Sequence, residues 1–168
     1  STEGNVQIAI DAMLAARAPH AFLGIDLEGR SSTVHTSGNP DGHIVLRGGS
    51  AGPNYDANSV REVYRQLESA ELRPAVLVDC SHANSGKDYR RQSIAFRDVI
   101  SQRIGGDDGI VGLMLESHLN EGNQSLSVGP ESLRYGVSVT DACIGWDETA
   151  ELLREAAEAL PVSAASRV

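Results

Sequence analysis

Three residues of the types that bind metals lie at the ends of separate apolar runs. The first two runs are rich in aliphatic and β-branched residues, which predicts buried parallel strands. Parallel strands point their carboxyl ends toward one edge of a sheet, where α/β proteins place their sites. We therefore expect a histidine and two carboxylates from distant parts of the chain to converge there. They are His82 after residues 76–81, Glu116 after 111–115 and Asp141 after 137–140.

An imidazole and two carboxylates form a mixed nitrogen and oxygen donor set. Such a set suits Mn2+, Fe2+, Co2+ or Zn2+, which accept both kinds of ligand. The pattern thus indicates a divalent-metal enzyme site at His82, Glu116 and Asp141. Each of the three can also be an ordinary structural group at a strand end, so the hypothesis requires all three to meet around one cation.

Arg47 is a candidate for binding an anionic substrate. It follows a β-like run and precedes two glycines, which allow backbone and ligand to approach closely. A guanidinium group binds phosphate or carboxylate through two parallel hydrogen bonds. Lys87 follows a loop that can also face an anion. The alternatives are a salt-bridged surface arginine and an exposed lysine.

Four further residues near these positions have structural and functional interpretations. His118 either orients a metal ligand or makes a structural hydrogen bond. Cys80 and Cys143 belong to no C-x-x-C pair, so we expect two small buried thiols in a reducing cytoplasm. Trp146 is expected to be an aromatic anchor for the preceding loop.

Composition limits the classes of function. The chain has 168 residues and a formal net charge of -9, which argues against a general nucleic-acid or anionic-membrane surface. No apolar run approaches the roughly 20 residues that span a bilayer. Neither a dinucleotide-binding glycine motif nor a P-loop is present. These features favour a cytoplasmic protein that acts on small molecules.

Helix and strand patterns alternate along the chain, which is typical of α/β architecture. A long irregular stretch at 117–146 is expected to be an ordered loop, and the tail at 161–168 is expected to be frayed. Turn-forming residues at 37–42 predict a β-hairpin between 31–36 and 43–47. Predicted helices cover 5–17 and 88–104, a further helix begins at Asn58 and ends before Pro74, and the last helix begins at Asp147 and ends before Pro161. Predicted strands cover 20–26, 75–80 and 110–116.

The helical periodicity predicts which side chains face the core. Asn58 and Asp147 are the predicted N-caps of the second and fourth helices. The predicted inward residues, helix by helix, are Val6, Ala9, Ile10 and Met13; Val60, Val63, Tyr64 and Leu67; Phe96, Val99, Ile100 and Ile104; and Ala150, Leu153 and Ala157.

Several blocks of sequence, in order, resemble one enzyme family. The blocks are LRGG at 46–49, PNY at 53–55, DCSHANS at 79–85, ESHL at 116–119, EGNQ at 121–124 and TDACIGW at 140–146. Together they are similar to the C-terminal half of class I 3-deoxy-D-arabino-heptulosonate 7-phosphate (DAHP) synthase. The resemblance covers nearly the whole chain.

This resemblance implies part of a (β/α)8 TIM barrel. Residues 1–160 would supply about the last three β/α units and an inserted β-hairpin. The strand count agrees, because three parallel strands cannot close a barrel that needs eight. The fold class expected is therefore α/β, with the barrel incomplete as given.

The resemblance also implies an activity. The family condenses phosphoenolpyruvate with erythrose 4-phosphate in the first step of the shikimate pathway, and it requires a divalent metal. His82, Glu116 and Asp141 match three of the four metal ligands, and Arg47 matches an arginine that binds phosphoenolpyruvate. Asp141 would also contact sugar hydroxyls, and His82 on the metal would help to position the attacking water or to shuttle its proton.

Other parts of the family's site have no counterpart in this sequence. They are a cysteine ligand near the first barrel strand, further arginines and lysines, and an N-terminal segment where feedback inhibitors act. We therefore expect the isolated chain to be inactive and the intact enzyme to form a homo-oligomer.

Two alternatives remain open at this point. The first is a related phosphoenolpyruvate-dependent synthase, such as the eight-carbon octulosonate enzyme. The second is a non-catalytic module that binds metal or phosphate, or that completes a barrel by association with a partner.

Overall fold

The chain forms a mixed α/β structure, as predicted. A computed structural model describes residues 4–160. Short 3-10 helices lie at Tyr89–Arg91, Leu126–Val128 and Pro130–Ser132. The main elements are α1 (Val6–Arg17), β1 (His20–Ile25), β2 (Ser31–Thr36), β3 (Ile44–Leu46), α2 (Ala57–Ser69), β4 (Val76–Asp79), α3 (Gln92–Ile104), β5 (Ile110–Met114) and α4 (Trp146–Ala159).

A parallel three-stranded sheet positions the site. Its order is β3-β4-β5, and α2 and α3 connect successive strands. Parallel neighbours require such crossover connections. Ile44, Leu46, Val76 and Val78 are buried along the strands, where they form a core with residues of α1 and α2. The carboxyl ends of all three strands therefore lie at one edge of the sheet.

The predicted hairpin partner is wrong. The sequence pattern paired 31–36 with 43–47, but the structure pairs β1 with β2 in antiparallel register. The turn between them is closed by Asp26, whose carboxylate accepts the backbone N–H groups of Glu28 and Arg30. The later segment instead forms β3, because its alternate residues fill the core beside β4. The predicted strand at 20–26 exists, but it belongs to the hairpin.

The first three helices bury most of the predicted side chains. In α1 only Ile10 is fully buried, and its predicted neighbours pack against the core from partly exposed positions. The predicted inward residues of α2 and α3 are also buried or partly buried, with one exception. That exception is Ile104, which ends α3 and is 53% exposed. Gln92 and Ala95, nearer the start of α3, are buried although the periodicity did not include them in the inward face.

Both predicted N-caps are displaced from the true helix starts. The carboxylate of Asp56 accepts the N–H groups of Asn58 and Ser59, so Asp56 caps α2. Gly145 occupies the N-cap position of α4, and Asp147 lies in the first turn. Both predicted residues still lie in the first turn of their helices. Asp147 is favoured there because a carboxylate interacts with the positive end of the helix.

The inward face of α4 is one residue away from the predicted face. The buried residues are Thr149, Leu152 and Ala156, whereas Leu153 is 53% exposed. Leu152 packs with Cys80, Phe96 and Ile144 in a second core cluster between α3, α4 and the strand ends. This cluster selects the register, since the small alanines along the helix permit more than one apolar stripe.

The stretch between β5 and α4 is an ordered loop, as predicted. Isolated bridges pair Ser117 with Ile144, Gly122 with Cys143 and Asn123 with Ser138. Trp146, the predicted aromatic anchor, is 57% exposed, so burial of its ring contributes little to holding the loop. Backbone pairing holds the loop instead.

Two expectations concern the ends of the chain and the membrane. The predicted frayed tail at 161–168 lies outside the described residues. Within residues 4–160, no helix is long and apolar enough to cross a bilayer.

The register of α4 can be tested with two adjacent leucines. Leu152→Ala should lower the free energy of unfolding by about 2–5 kcal/mol, because it leaves a cavity in a packed core. Leu153→Ala, the matched control on the exposed face, should cost less than about 1 kcal/mol. Denaturant titration measures both values. Equal losses, or a larger loss at Leu153, would contradict the observed register.

Candidate metal centre

The three candidate ligands converge, as the sequence pattern predicted. One ligand atom each from His82, Glu116 and Asp141 lies within 4.8 Å of the other two. His82 Nε2 is 3.4 Å from Glu116 Oε1 and 4.0 Å from Asp141 Oδ2. His82 follows β4, Glu116 follows β5 and Asp141 lies near the end of the loop before α4.

A buried carboxylate orients the histidine. His82 Nδ1 lies 2.6 Å from Asp79 Oδ2, and Asp79 is 1% exposed. An ionised carboxylate only accepts hydrogen bonds, so Nδ1 carries the proton. The lone pair of Nε2 then faces the two other carboxylates. In metal sites, a ligating histidine commonly donates the N–H of one ring nitrogen to a carboxylate and presents its other ring nitrogen to the metal.

The backbone at His82 adopts a conformation that is uncommon for a non-glycine residue. Its φ is 51°, in the left-handed region. The carbonyl oxygen of His82 accepts hydrogen bonds from the Lys87 N–H at 2.7 Å and from the Ser85 hydroxyl at 3.1 Å. These contacts hold the turn that aims the imidazole at the cluster.

Glu116 is fixed through both its side chain and its backbone. The Ser81 hydroxyl donates to Glu116 Oε2 at 2.5 Å, which leaves Oε1 facing His82. The buried side chain of Gln92 accepts the Glu116 N–H at 2.8 Å and donates to the Glu116 carbonyl at 3.0 Å. The start of α3 therefore sets the position of this carboxylate.

A buried asparagine joins the carboxyl ends of β3 and β4. The Asn84 amide donates to the Leu46 carbonyl at 3.0 Å and to the Asp79 carbonyl at 2.8 Å. Its oxygen accepts the Asn54 N–H at 2.8 Å, and the Asn54 side chain accepts the Gly48 N–H at 2.7 Å. This network holds the loops after the two strands in one arrangement.

A cleft of about 350 Å³ opens beside the cluster, and the two candidate anion-binding residues, Arg47 and Lys87, line it. Arg47 Nε lies 3.9 Å from Asp79 Oδ2, and Lys87 lies in the loop after His82. Gly48 has a φ of 74°, and a Cβ there would lie 2.7 Å from Ala83 Cβ. Only glycine lets the loop after Arg47 pass this close to the loop that carries His82. The cleft is thus lined by two positively charged side chains, Arg47 and Lys87, and by the three metal-type ligands.

The donor set fits a divalent transition metal. Nitrogen and oxygen ligands at roughly 2.0–2.2 Å from a cation lie about 3–3.5 Å from one another. The His82–Glu116 separation of 3.4 Å lies in this range, and the His82–Asp141 separation of 4.0 Å is longer. The three donors come from three different loops, and the side chain of Asp141 is 73% exposed toward solvent. Three protein donors with one open side leave room for a water or a substrate oxygen.

Sequence reasoning missed the residues that support the ligands. Asp79 carries a visible signal, because it is a charge at the tip of an apolar strand three residues before His82. Ser81 and Asn84 lie in the same segment, but nothing in the pattern gives their partners. Gln92 has no sequence signal at all, since its contact with Glu116 joins separate elements.

The remaining candidates have structural roles. His118 Nδ1 accepts the Leu119 N–H at 2.9 Å, and the ligand cluster in the described residues does not include it. Both cysteines are buried free thiols, as predicted. Burial, together with the charge of Asp79, raises the pKa of Cys80 to about 12. Burial also raises the pKa of Cys143. Neither thiol is therefore primed as a nucleophile.

Residues 48–52 also match the G-x-S-x-G pattern of serine hydrolases. In the structure Gly49 and Gly52 exchange backbone hydrogen bonds in a tight turn. This geometry is not the strand-to-helix elbow that exposes a nucleophilic serine. Among the described side chains no histidine hydrogen-bonds to Ser50, so the match carries no catalytic meaning.

Comparisons with known proteins point to one family. A family model described as the DAHP synthetase I family matches residues 3–154. The Tyr-sensitive phospho-2-dehydro-3-deoxyheptonate aldolase of Escherichia coli (strain K12) is 51% identical over 154 residues, which are 92% of this chain and 43% of that protein. The Phe-sensitive enzyme of the same organism is 52% identical over 159 residues, which are 95% of this chain and 45% of that protein.

A solved structure agrees. Phospho-2-dehydro-3-deoxyheptonate aldolase from Francisella tularensis SCHU S4 matches with a TM-score of 0.87 and 39% sequence identity. The match covers 95% of this chain and 46% of that one. The chain therefore spans less than half the length of these three relatives.

The asparagine network can be tested by substitution. Asn84→Ala leaves two carbonyl groups and one N–H without their partner, so the free energy of unfolding should fall by roughly 2–3 kcal/mol. Asn58→Ala, on the exposed surface of α2, should change it by less than roughly 0.5 kcal/mol. Denaturant titration compares the two. A neutral Asn84→Ala variant would show that the strand ends are held in another way.

Proposed function

Because this chain belongs to the DAHP synthetase I family, we propose that the full-length protein is a DAHP synthase. It condenses phosphoenolpyruvate with erythrose 4-phosphate and releases phosphate, which is the first step of the shikimate pathway. The observation that carries the proposal is the position of Arg47 and Lys87 beside the cluster of His82, Glu116 and Asp141 in one cleft. An aldol-type condensation of two phosphorylated substrates needs both kinds of group.

The proposed architecture is the C-terminal half of a (β/α)8 barrel, formed by residues 1–160. The order β3-β4-β5, with helical connections, is the repeating unit of such a barrel. On the two edge strands, Val45, Val111 and Met114 are exposed. Closure of the barrel by the remaining strands would give both edges a partner. The isolated chain is then an incomplete enzyme, and we expect it to be inactive.

The intact enzyme is proposed to be a cytoplasmic homo-oligomer. The hairpin supports association, because Leu23 and Ile25 on β1 and Leu27 in the turn are 84%, 75% and 103% exposed. An exposed apolar ribbon of this kind is typical of a contact surface. The octulosonate alternative has no support, since the matching family model and the relatives above are heptulosonate enzymes.

His82, Glu116 and Asp141 would hold Mn2+, Fe2+, Co2+ or Zn2+. When bound, such a cation supplies Lewis acidity and a fixed position for the aldehyde oxygen of erythrose 4-phosphate. Asp141 is the most exposed of the three ligands, so its carboxylate also reaches sugar hydroxyl groups in the cleft. The buried partners of the other two keep their orientation constant.

Arg47 and Lys87 would bind the anionic groups of phosphoenolpyruvate. Their positive charges also offset the charge that moves onto phosphate as it leaves. Arg47 offers a planar fork and Lys87 a single ammonium group, so the arginine sets the orientation of the substrate. In the proposed site, His82 has no ring nitrogen left for proton transfer. Its Nδ1 is already bonded to Asp79, and its Nε2 would be occupied by the cation.

The metal assignment predicts a joint loss of metal and activity. In the full-length protein, His82→Ala and Glu116→Ala should each remove tightly bound metal and abolish turnover, because each deletes one of the few donors. Glu121→Gln is the control, since Glu121 is an exposed carboxylate in the same loop and outside the cluster. Elemental analysis and a phosphate-release assay measure the two quantities. Normal turnover by either cluster variant would reject the assignment.

The role of Arg47 predicts a change in substrate requirement. Arg47→Ala should raise the KM for phosphoenolpyruvate about 10-fold to 150-fold, which corresponds to the roughly 1.5–3 kcal/mol of a charge-assisted hydrogen bond. The KM for erythrose 4-phosphate should change much less. Arg65→Ala, on the exposed face of α2, is the control. An unchanged KM for phosphoenolpyruvate in Arg47→Ala would remove this residue from the site.

A further inference from the structure

We propose that Asp79 is a positioning residue that selects the tautomer of His82 and so makes this imidazole able to bind the metal. The proposal rests on the metal site of the proposed function. It concerns a residue that touches neither the cation nor a substrate and acts only through His82.

Both oxygens of Asp79 face hydrogen-bond donors. Oδ1 accepts the backbone N–H of Ser81 at 2.9 Å, and Oδ2 lies 2.6 Å from His82 Nδ1. The residue is 1% exposed, so water does not replace either partner. The backbone group can only donate, which commits Oδ1 to accepting. A carboxylate then offers a second acceptor to the imidazole, and Nδ1 must carry the proton.

Without Asp79 the opposite tautomer would be favoured in the metal-free protein. His82 Nε2 faces Glu116 Oε1 at 3.4 Å and Asp141 Oδ2 at 4.0 Å. Two carboxylates attract a proton to that nitrogen, and an Nε2–H group has no lone pair for a cation. When the imidazole carries one proton, the carboxylates on the two sides of the ring therefore compete for it. The contact of Nδ1 with Asp79 is shorter than either contact of Nε2, and Asp79 is more deeply buried than Glu116 or Asp141. Asp79 therefore keeps the proton on Nδ1 and leaves Nε2 free for the metal.

An asparagine at this position would reverse the selection while keeping the shape. Its amide oxygen would accept the Ser81 N–H, because the amide NH2 group can only donate hydrogen bonds. Its NH2 group would then face His82 Nδ1 and require this nitrogen to accept. The proton would move to Nε2, where it blocks the metal. Alanine leaves Nδ1 without this partner, so only the two carboxylates at Nε2 bias the proton, and nothing prevents the ring from adopting the form that binds.

Asp79→Asn and Asp79→Ala should rank in opposite order for stability and for Mn2+ affinity. In the full-length protein, Asp79→Asn should be more stable to denaturant than Asp79→Ala, because it fills the same space and keeps the Ser81 bond. Its affinity for Mn2+ should nevertheless be the weaker of the two, and about 10-fold to 100-fold below that of the unsubstituted protein. Calorimetric titration of metal-free protein with Mn2+ gives the affinities. If Asp79→Asn binds Mn2+ better than Asp79→Ala, the proposal is overturned.

Asp107→Asn is the matched control. Asp107 is a partly buried carboxylate whose Oδ1 accepts the Tyr64 hydroxyl at 2.6 Å and the Gly109 N–H at 3.1 Å, outside the metal cluster. Its substitution should lower stability and leave Mn2+ affinity unchanged. A comparable loss of Mn2+ affinity in this variant would show that general destabilisation weakens the site, which would overturn the role of Asp79.

Inorganic phosphate gives a second measurement that does not depend on the alanine variant. Arg47 lies 3.9 Å from Asp79, too far for a hydrogen bond, so phosphate binding should persist in Asp79→Asn. Loss of phosphate binding together with Mn2+ binding would mean that Asp79 holds the whole loop, and would overturn a specific role. Normal Mn2+ binding by Asp79→Asn would overturn this inference alone. Absence of Mn2+ binding by the unsubstituted protein would overturn the proposed function with it.

Discussion

The parallel pairing of three short strands is the constraint on which the site depends. Arg47 follows β3, His82 follows β4 and Glu116 follows β5, so each additional strand contributes one chemical group to the same edge. The pairing itself is produced by alternating apolar side chains that fill the space between the sheet and two helices. Any shift of one strand by a single residue would turn its functional side chain toward the wrong face.

Strand ends alone do not fix side chains, and a polar network completes the task. Asn84 binds the carbonyl groups that end β3 and β4, Gln92 holds the backbone of Glu116 and Asp79 holds the ring of His82. All three supporting residues are buried. Hydrogen bonds formed away from water are costly to break, which keeps a metal site preorganised before the cation arrives. Of the three ligands, His82 and Glu116 are thus held by buried partners, and Asp141 is the one that extends into solvent.

The sequence alone predicted the α/β class, most elements and the convergence of His82, Glu116 and Asp141. These features follow from local periodicity and from the geometry common to parallel sheets. Pairing partners were harder, because β-propensity marks strands without saying which segment lies beside which. This is why residues 43–47 were assigned to a hairpin. The register of α4 failed for a related reason: alanines flank Leu152 and Leu153, so only the packed neighbours decide between them. Gln92 was invisible because its partner lies 24 positions away.

At His82 the residue that the metal site requires differs from the residues that the backbone conformation favours, because its φ lies in the left-handed region. Such a conformation costs most residues about 1–2 kcal/mol, and glycine or asparagine adopts it at little cost. A library of variants sorted only for thermal tolerance would therefore enrich glycine or asparagine at this position and lose the imidazole. A parallel library sorted for turnover should instead retain histidine, so the difference between the two libraries would separate selection for metal chemistry from selection for folding.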